Sequence, residues 1–187
     1  KLEVINEDIL KIDEKKISNE PMVVFGNLPY NISTQILVKW IRLNNLNKTF
    51  KKFILMFQKE VAERIIATIN KKNYGRLAIL ASWRLNIKKI ADVSPNSFYP
   101  KPKVESTILL VEPKIEYFNF KNSKNLEHVT NVFFNQRRKM IKKPFNQLFN
   151  GNQKVLNKLK IDLNLRPQNL NLDTYYKLAY EYENLRS

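Results

Sequence analysis

The sequence predicts an α/β protein that ends in a small all-helical part, and three observations carry the prediction. Over residues 1–113 short apolar runs alternate with segments of helical spacing, and a β-branched stretch at Val104 to Val111 closes that region. Beyond it, over residues 114–187, the patterning is helical throughout and is broken by Asn-rich turns and by Arg166-Pro167. Composition and punctuation change near Pro113, which sets the expected division into two domains, 1–113 and 114–187, and 43% hydrophobic residues suffice for a real core.

Taken in order, Val4-Ile5 reads as a short strand, and Met22 to Phe25 as a buried one, since an unbroken apolar run suits a strand covered on both faces. Ser33 or Thr34 can cap a helix in which Ile36, Leu37, Trp40 and Ile41 share a face. Phe53 to Phe57 is a further strand. Val61, Ile65, Ile66 and Ile69 repeat the helical spacing, and a third helix around Leu77 to Trp83 leads into a strand over Ile87 to Val93. The β-branched Val104 to Val111 is the expected hairpin partner of that strand. Helices come next at Leu126 to Phe134, Met140 to Phe149, Val155 to Leu159 and Thr174 to Tyr182, the last with Tyr176, Ala179 and Tyr180 inward. Trp40 and Trp83 belong to the core, and the lone His128 to helix packing.

Asn27-Leu28-Pro29-Tyr30, directly after the Met22 to Phe25 run, carries the clearest chemistry. Pro29 holds Leu28 extended, so the Leu28 carbonyl and the Asn27 side-chain oxygen form two acceptors beside the Tyr30 ring. Two acceptors can hold the two protons of one exocyclic amino group, and the ring offers a stacking surface worth roughly 1–3 kcal/mol per base. An ordinary strand-to-helix turn accounts equally well for four residues alone. Phe98 forms a second aromatic platform, in a segment stiffened by Pro100 and Pro102, where Lys101 and Lys103 can contact phosphate. Arg137-Arg138-Lys139 with Lys142 and Lys143 is the densest basic cluster at a helix end, suited to RNA or to a solvated face.

Lys+Arg number 33 against Asp+Glu 17, a net charge of +16, so the chain attracts polyanions in a salt-dependent way. With no Cys and a single His, neither a disulfide framework nor a metal site is expected. No apolar run approaches the ~20 residues that a bilayer requires. The expectation is a cytoplasmic protein without a membrane partner.

Val24 to Thr34 resembles the catalytic-loop signature of the KsgA-type small-subunit rRNA adenine N6-dimethyltransferases, and further blocks match in the same order. They are Gln58 to Val61, Tyr74 to Leu77, Phe98 to Ser106 and Phe134 to Lys139. The resemblance implies a partial Rossmann-like methyltransferase sheet over 1–113, being the C-terminal part of a catalytic domain, and a helical RNA-binding domain over 114–187. It further implies S-adenosylmethionine as methyl donor, held in part by Asp8 and Asn27, and a flipped adenine clasped between Tyr30 and Phe98. Small-subunit rRNA in an immature subunit would be the partner of a monomeric enzyme. The family's glycine-rich loop has no counterpart among Gly26, Gly75 and Gly151, and the chain opens on Lys1. The expectation is therefore a sequence that starts partway through the fold and is inactive by itself. Two other readings stay open: a non-catalytic RNA-binding or ribosome-assembly module, and a related enzyme acting on large-subunit rRNA or DNA.

Overall fold

A computed structural model of the chain describes residues 2–186. They form two compact units: residues up to Ala62 with Arg84–Ile115, and Glu63–Trp83 with Glu116 onward. The division at 113/114 taken from composition thus differs from the packing in one respect: Glu63–Trp83 belongs with the C-terminal helices, not with the sheet. Its anchors are buried groups, since the Tyr74 hydroxyl donates to the Leu170 carbonyl at 3.0 Å and the Tyr176 hydroxyl to that of Ile79 at 3.3 Å.

The first unit is built on a four-stranded sheet of order β1-β2-β4-β3, with β1 Met22–Asn27, β2 Phe50–Gln58, β3 Leu85–Val93 and β4 Ser106–Pro113. β1 runs parallel to β2, whereas β2–β4 and β4–β3 are antiparallel. The expected hairpin is present, pairing Ile87 with Val111, with a register shift between Lys89 and Ala91. Centrally, Leu55 opposes Leu109, and both are fully buried.

β1 is not the doubly covered strand that its composition suggests. It is an edge strand with alternating exposure, and Val23 and Phe25 are 45% and 77% exposed. Nor does Val4-Ile5 form a strand: Val4 is 81% exposed, with no neighbouring strand for its backbone to join.

Between β1 and β2 lie α1, Ser33–Ile41, and the short α2, Leu46–Thr49. Ile36, Leu37, Trp40 and Ile41 are all buried, as their spacing requires, and the Trp40 ring stacks on Phe53 at 5.0 Å. Neither Ser33 nor Thr34 caps the helix. Ile32 occupies the cap, and the Ser33 hydroxyl, one position inside, donates back to the Tyr30 carbonyl at 3.2 Å. At the other end the buried Arg84 guanidinium donates to the carbonyls of Ile41, Leu43 and Asn44, satisfying the orphan acceptors with a cation where the helix dipole favours one. Glu14, 3% exposed, accepts from Lys39 Nζ at 2.6 Å and Trp40 Nε1 at 2.8 Å, which pins the N-terminal segment to α1.

α3, Lys59–Ile65, is shorter than its spacing predicts: Ile66 and Ile69 lie beyond its end, and Ile69 is 38% exposed. α4 spans Arg76–Arg84.

The second unit adds α5 Lys124–Phe134, α6 Lys142–Phe149, α7 Gln153–Leu159 and α8 Leu172–Asn184. Its core is aromatic: Tyr175 packs against Phe133 at 5.8 Å and Phe134 at 5.7 Å, and Phe149 meets Tyr182. The inner face of α8 is Tyr175, Leu178, Ala179 and Tyr182, rotated from the Tyr176-Ala179-Tyr180 face read in the sequence, and Tyr180 is 41% exposed. Burial pushes the Tyr74 and Tyr175 phenols well up, so both stay neutral donors, the latter to the Pro167 carbonyl at 2.7 Å. His128 packs on the Tyr182 ring at 5.2 Å. Among the described residues no helix is long and apolar enough to cross a membrane.

Candidate active site

Parallel pairing brings the carboxyl ends of β1 and β2 to the same edge, Asn27 beside Met56, where open α/β sheets hold their ligands. Gly26 shapes the loop that leaves this edge. A Cβ there would stand 2.8 Å from Leu55 Cδ2 and 3.0 Å from Leu28 Cδ2, so Leu28 folds back into the room that the glycine leaves and is 8% exposed. Burying Leu28 turns its neighbours outward: Asn27 and Pro29 are exposed, and Tyr30 is half-buried. The loop closes through the Ile32 amide, which donates to the Pro29 carbonyl at 3.1 Å.

Tyr30 does not swing loosely. Its hydroxyl lies 2.8 Å from Oγ of Ser106, the fully buried first residue of β4. Lys59 reinforces that end of the sheet, its amide donating to the Glu105 carbonyl at 2.9 Å and its ammonium pairing with the Glu105 carboxylate at 2.5 Å.

The connection between β3 and β4 supplies the opposite wall. Ser94 caps a single 3-10 turn, Pro95–Ser97, from which Phe98 emerges half-buried, followed by a cis Tyr99–Pro100 bond. Asn27, Leu28, Pro29, Tyr30, Phe98, Tyr99, Pro100 and Pro102 line one cleft of about 320 Å³. That volume lies at the small end of the range for small-molecule sites, about 300–1,000 Å³, and suits one planar heterocycle. The five residues singled out in the sequence for base handling, Asn27, Leu28, Pro29, Tyr30 and Phe98, therefore share a single cavity.

The sequence model of the family described as "Ribosomal RNA adenine dimethylase" matches residues 1–184. The Ribosomal RNA small subunit methyltransferase A of Pelagibacter ubique is 58% identical over 185 residues, covering 99% of this chain and 71% of that protein. Its namesake in Ehrlichia ruminantium is 42% identical over 96% of this chain and 67% of the relative. Among solved structures, a dimethyladenosine transferase from Plasmodium falciparum superposes with a TM-score of 0.81 at 29% identity, over 97% of this chain and 72% of that one.

The chain belongs to the ribosomal RNA adenine dimethylase family. Its sheet is that of the Rossmann-like methyltransferases, a likeness of fold that extends to the 23S rRNA methyltransferase ErmE at a TM-score of 0.65 and 18% identity, over 97% of this chain and 72% of that one. The family is one of enzymes, and its chemistry is adenine dimethylation in ribosomal RNA.

A member of this family has to accommodate a methyl donor as well as a base. The residues present suit the polar end of such a donor, since Asp8 is an exposed, acceptor-only carboxylate and Asn27 exposes an amide at the cleft. Asp8 is also engaged locally: its Oδ1 accepts from the Leu10 amide at 3.0 Å and its carbonyl from that of Lys11 at 2.8 Å, the turn-capping geometry that its sequence context equally predicts. It does not line the cleft.

Of the basic residues, Lys101 and Lys103 are exposed on the wall segment. The cluster at 137–143 sits differently from its helical reading. Arg137, Arg138 and Lys139 lie in the turn after α5, and only Lys142 and Lys143 are helical, opening α6. Arg137 points inward: Nε donates to Gln168 Oε1 at 3.1 Å, and a terminal nitrogen donates to the Lys71 and Lys72 carbonyls. Arg138, Lys139, Lys142 and Lys143 are exposed.

Sequence reasoning gave no role to Gly26, Tyr99 or Ser106. Tyr99, fully exposed, lines the cleft, and its position directly after Phe98 was the available signal. The hydrogen bond of Ser106 joins residues 76 positions apart, and no local pattern announces it.

Proposed function

We propose that this chain provides the adenine-handling part of an S-adenosylmethionine-dependent N6-dimethyltransferase of small-subunit ribosomal RNA, acting as a monomer in the cytoplasm. The observation that carries the reading is the cleft itself: an exposed Asn27 and the Leu28–Pro29 backbone at one wall, Tyr30 beside them, and Phe98 on the other. When bound, S-adenosylmethionine supplies an electrophilic methyl group on sulfonium. Everything else is positioning. The Asn27 side-chain oxygen and the Leu28 carbonyl accept the two N–H bonds of the target amino group, orienting its nitrogen and favouring the positive charge that develops there. Tyr30 and Phe98 hold the extruded base between two rings, which offsets part of the cost of unstacking it. Asp8 and Asn27 are the residues of this chain that would accept from the donor's amino groups. Lys101 and Lys103 meet the flanking phosphates, and Arg138, Lys139, Lys142 and Lys143 meet RNA on the helical unit, where family membership and a net charge of +16 support a polyanionic partner.

Transfer of radiolabelled methyl groups into rRNA of unmethylated small subunits tests the reading. Asn27→Ala is expected to cut kcat about 100-fold or more with RNA affinity changed less than about 2-fold, because its contacts strengthen in the transition state. Arg138→Ala is expected to do the reverse, weakening RNA binding about 10-fold or less at unchanged kcat. Equal losses of affinity in both variants overturn the assignment of roles. Salt-sensitive rRNA binding without any methyl incorporation makes this chain an RNA-binding module instead.

A further inference from the structure

Three separate stretches of the helical unit are tied into one knot of hydrogen bonds. The Asn70 amide donates to the Gln168 carbonyl at 3.0 Å, and the Asn169 side-chain amide to Asn70 Oδ1 at 2.8 Å. Arg137 bridges Gln168 to the Lys71 and Lys72 carbonyls, and the Ile141 amide donates to the Leu165 carbonyl at 2.9 Å. Residues 70–73, 137–143 and 165–169 therefore form one surface, although α4, the β3–β4 hairpin and α5 separate the first stretch from the second in sequence.

The composition of that surface is one-sided. None of the three stretches contains Asp or Glu, and Lys71, Lys72 and Arg166 are exposed on it alongside the cations of 138–143. A carboxylate touches its margin, where Asn73 donates to Glu63 Oε2 at 3.0 Å. Holding so many like charges together is unfavourable in isolation, and a surface built this way gains most from a dense polyanion whose counterions it can displace. Asn70, with φ of 67°, adopts the left-handed conformation that turns the Lys71-Lys72 pair out of the chain's path.

Resting on the ribosomal RNA reading above, we infer that Lys71, Lys72 and Arg166 are RNA-backbone contacts of the same interface as Arg138 and Lys139. Arg137 is the strut that assembles this interface, and it does not touch phosphate. Its guanidinium is committed to two backbone carbonyls and one side chain, so its charge organises the platform from beneath.

The test is rRNA binding across a salt series, comparing the chain with a triple variant, K71Q/K72Q/R166Q, and a control triple, K11Q/K15Q/K16Q. The control neutralises exposed lysines of the other unit and removes the same net charge. Losing three phosphate contacts is expected to lower affinity at least 10-fold and to flatten the slope of log K against log salt by roughly 2. The control triple is expected to change affinity less than about 3-fold and to leave the slope unaltered. Equal effects of the two triples overturn the inference while leaving the ribosomal RNA reading intact. Absence of salt-sensitive binding by the unaltered chain overturns that reading itself, and the inference with it. Thermal melts of each variant confirm that the fold is retained.

Discussion

Tyr30 illustrates how one side chain is prepared for its work by a residue far away in sequence. Ring stacking needs a fixed plane, and the plane of Tyr30 is set by the hydroxyl contact with Ser106, whose own position is locked at the first rung of β4 opposite Gln58. Removing either hydroxyl strands the other in partly buried surroundings. Ser106→Ala is expected to cost about 1 kcal/mol of stability. Tyr30→Phe is expected to cost about the same, and the double variant no more than either single, a non-additivity that urea unfolding of all four proteins measures directly. Strictly additive losses mean that the contact contributes nothing. Arg137 and Arg138 show the opposite lesson. Adjacent and chemically identical, they diverge completely, one half-buried against carbonyls and the other exposed, because the turn after α5 points successive side chains to different sides.

At the scale of elements, α8 is fastened at its C-terminal end by Glu183, which accepts from the amides of Lys121 at 2.9 Å and Asn122 at 2.8 Å and from the Asn125 side chain at 2.8 Å. Burial on its own raises the carboxyl's pKa, but the three donors outweigh it, and the net shift is downward from the ordinary 4.5. A depressed folded-state value means that the stabilisation is complete above about pH 4.5 and is lost as pH falls through the folded value. Glu183→Gln is expected to lose about 2 kcal/mol at pH 7 and to melt with a shallower dependence on pH between about 5 and 3 than the unaltered chain. Parallel melting curves against pH rule out Glu183 as the titrating fastener. The elements themselves were legible where periodicity and partner agreed: the α1 face, the β3–β4 hairpin and the four C-terminal helices all sit where spacing puts them. What escaped depends on neighbours. Met22 to Phe25 reads as a buried run because four apolar residues look alike in a central or an edge strand, and the α8 face turned by a residue because Tyr suits a core and a rim equally. The cleft was legible as Asn27 to Tyr30 plus Phe98, but the struts behind it, Gly26 and Ser106, carry no chemistry of their own and so gave no sign.

For the molecule as a whole, the chain passes between its two units three times, at 62/63, 83/84 and 115/116. A proteolytic or recombinant cut at 113/114 therefore severs residues 63–83 from the helices that bury Tyr74, and neither product retains a complete unit. The charge of +16 governs solution behaviour as much as recognition. The edge strand β1 exposes Phe25 and Val23 along an unpaired margin, a template on which a second copy can add its own strand. At low ionic strength, mutual repulsion keeps copies apart, and salt removes that protection over a Debye length of about 10 Å at 0.1 M. Adding salt is then expected to raise light scattering by the chain while it loosens RNA, and Phe25→Lys to abolish the first effect and spare the second. A strand edge thus turns the usual remedy of the purification bench, more salt to strip nucleic acid from a basic protein, into the condition under which this one clumps.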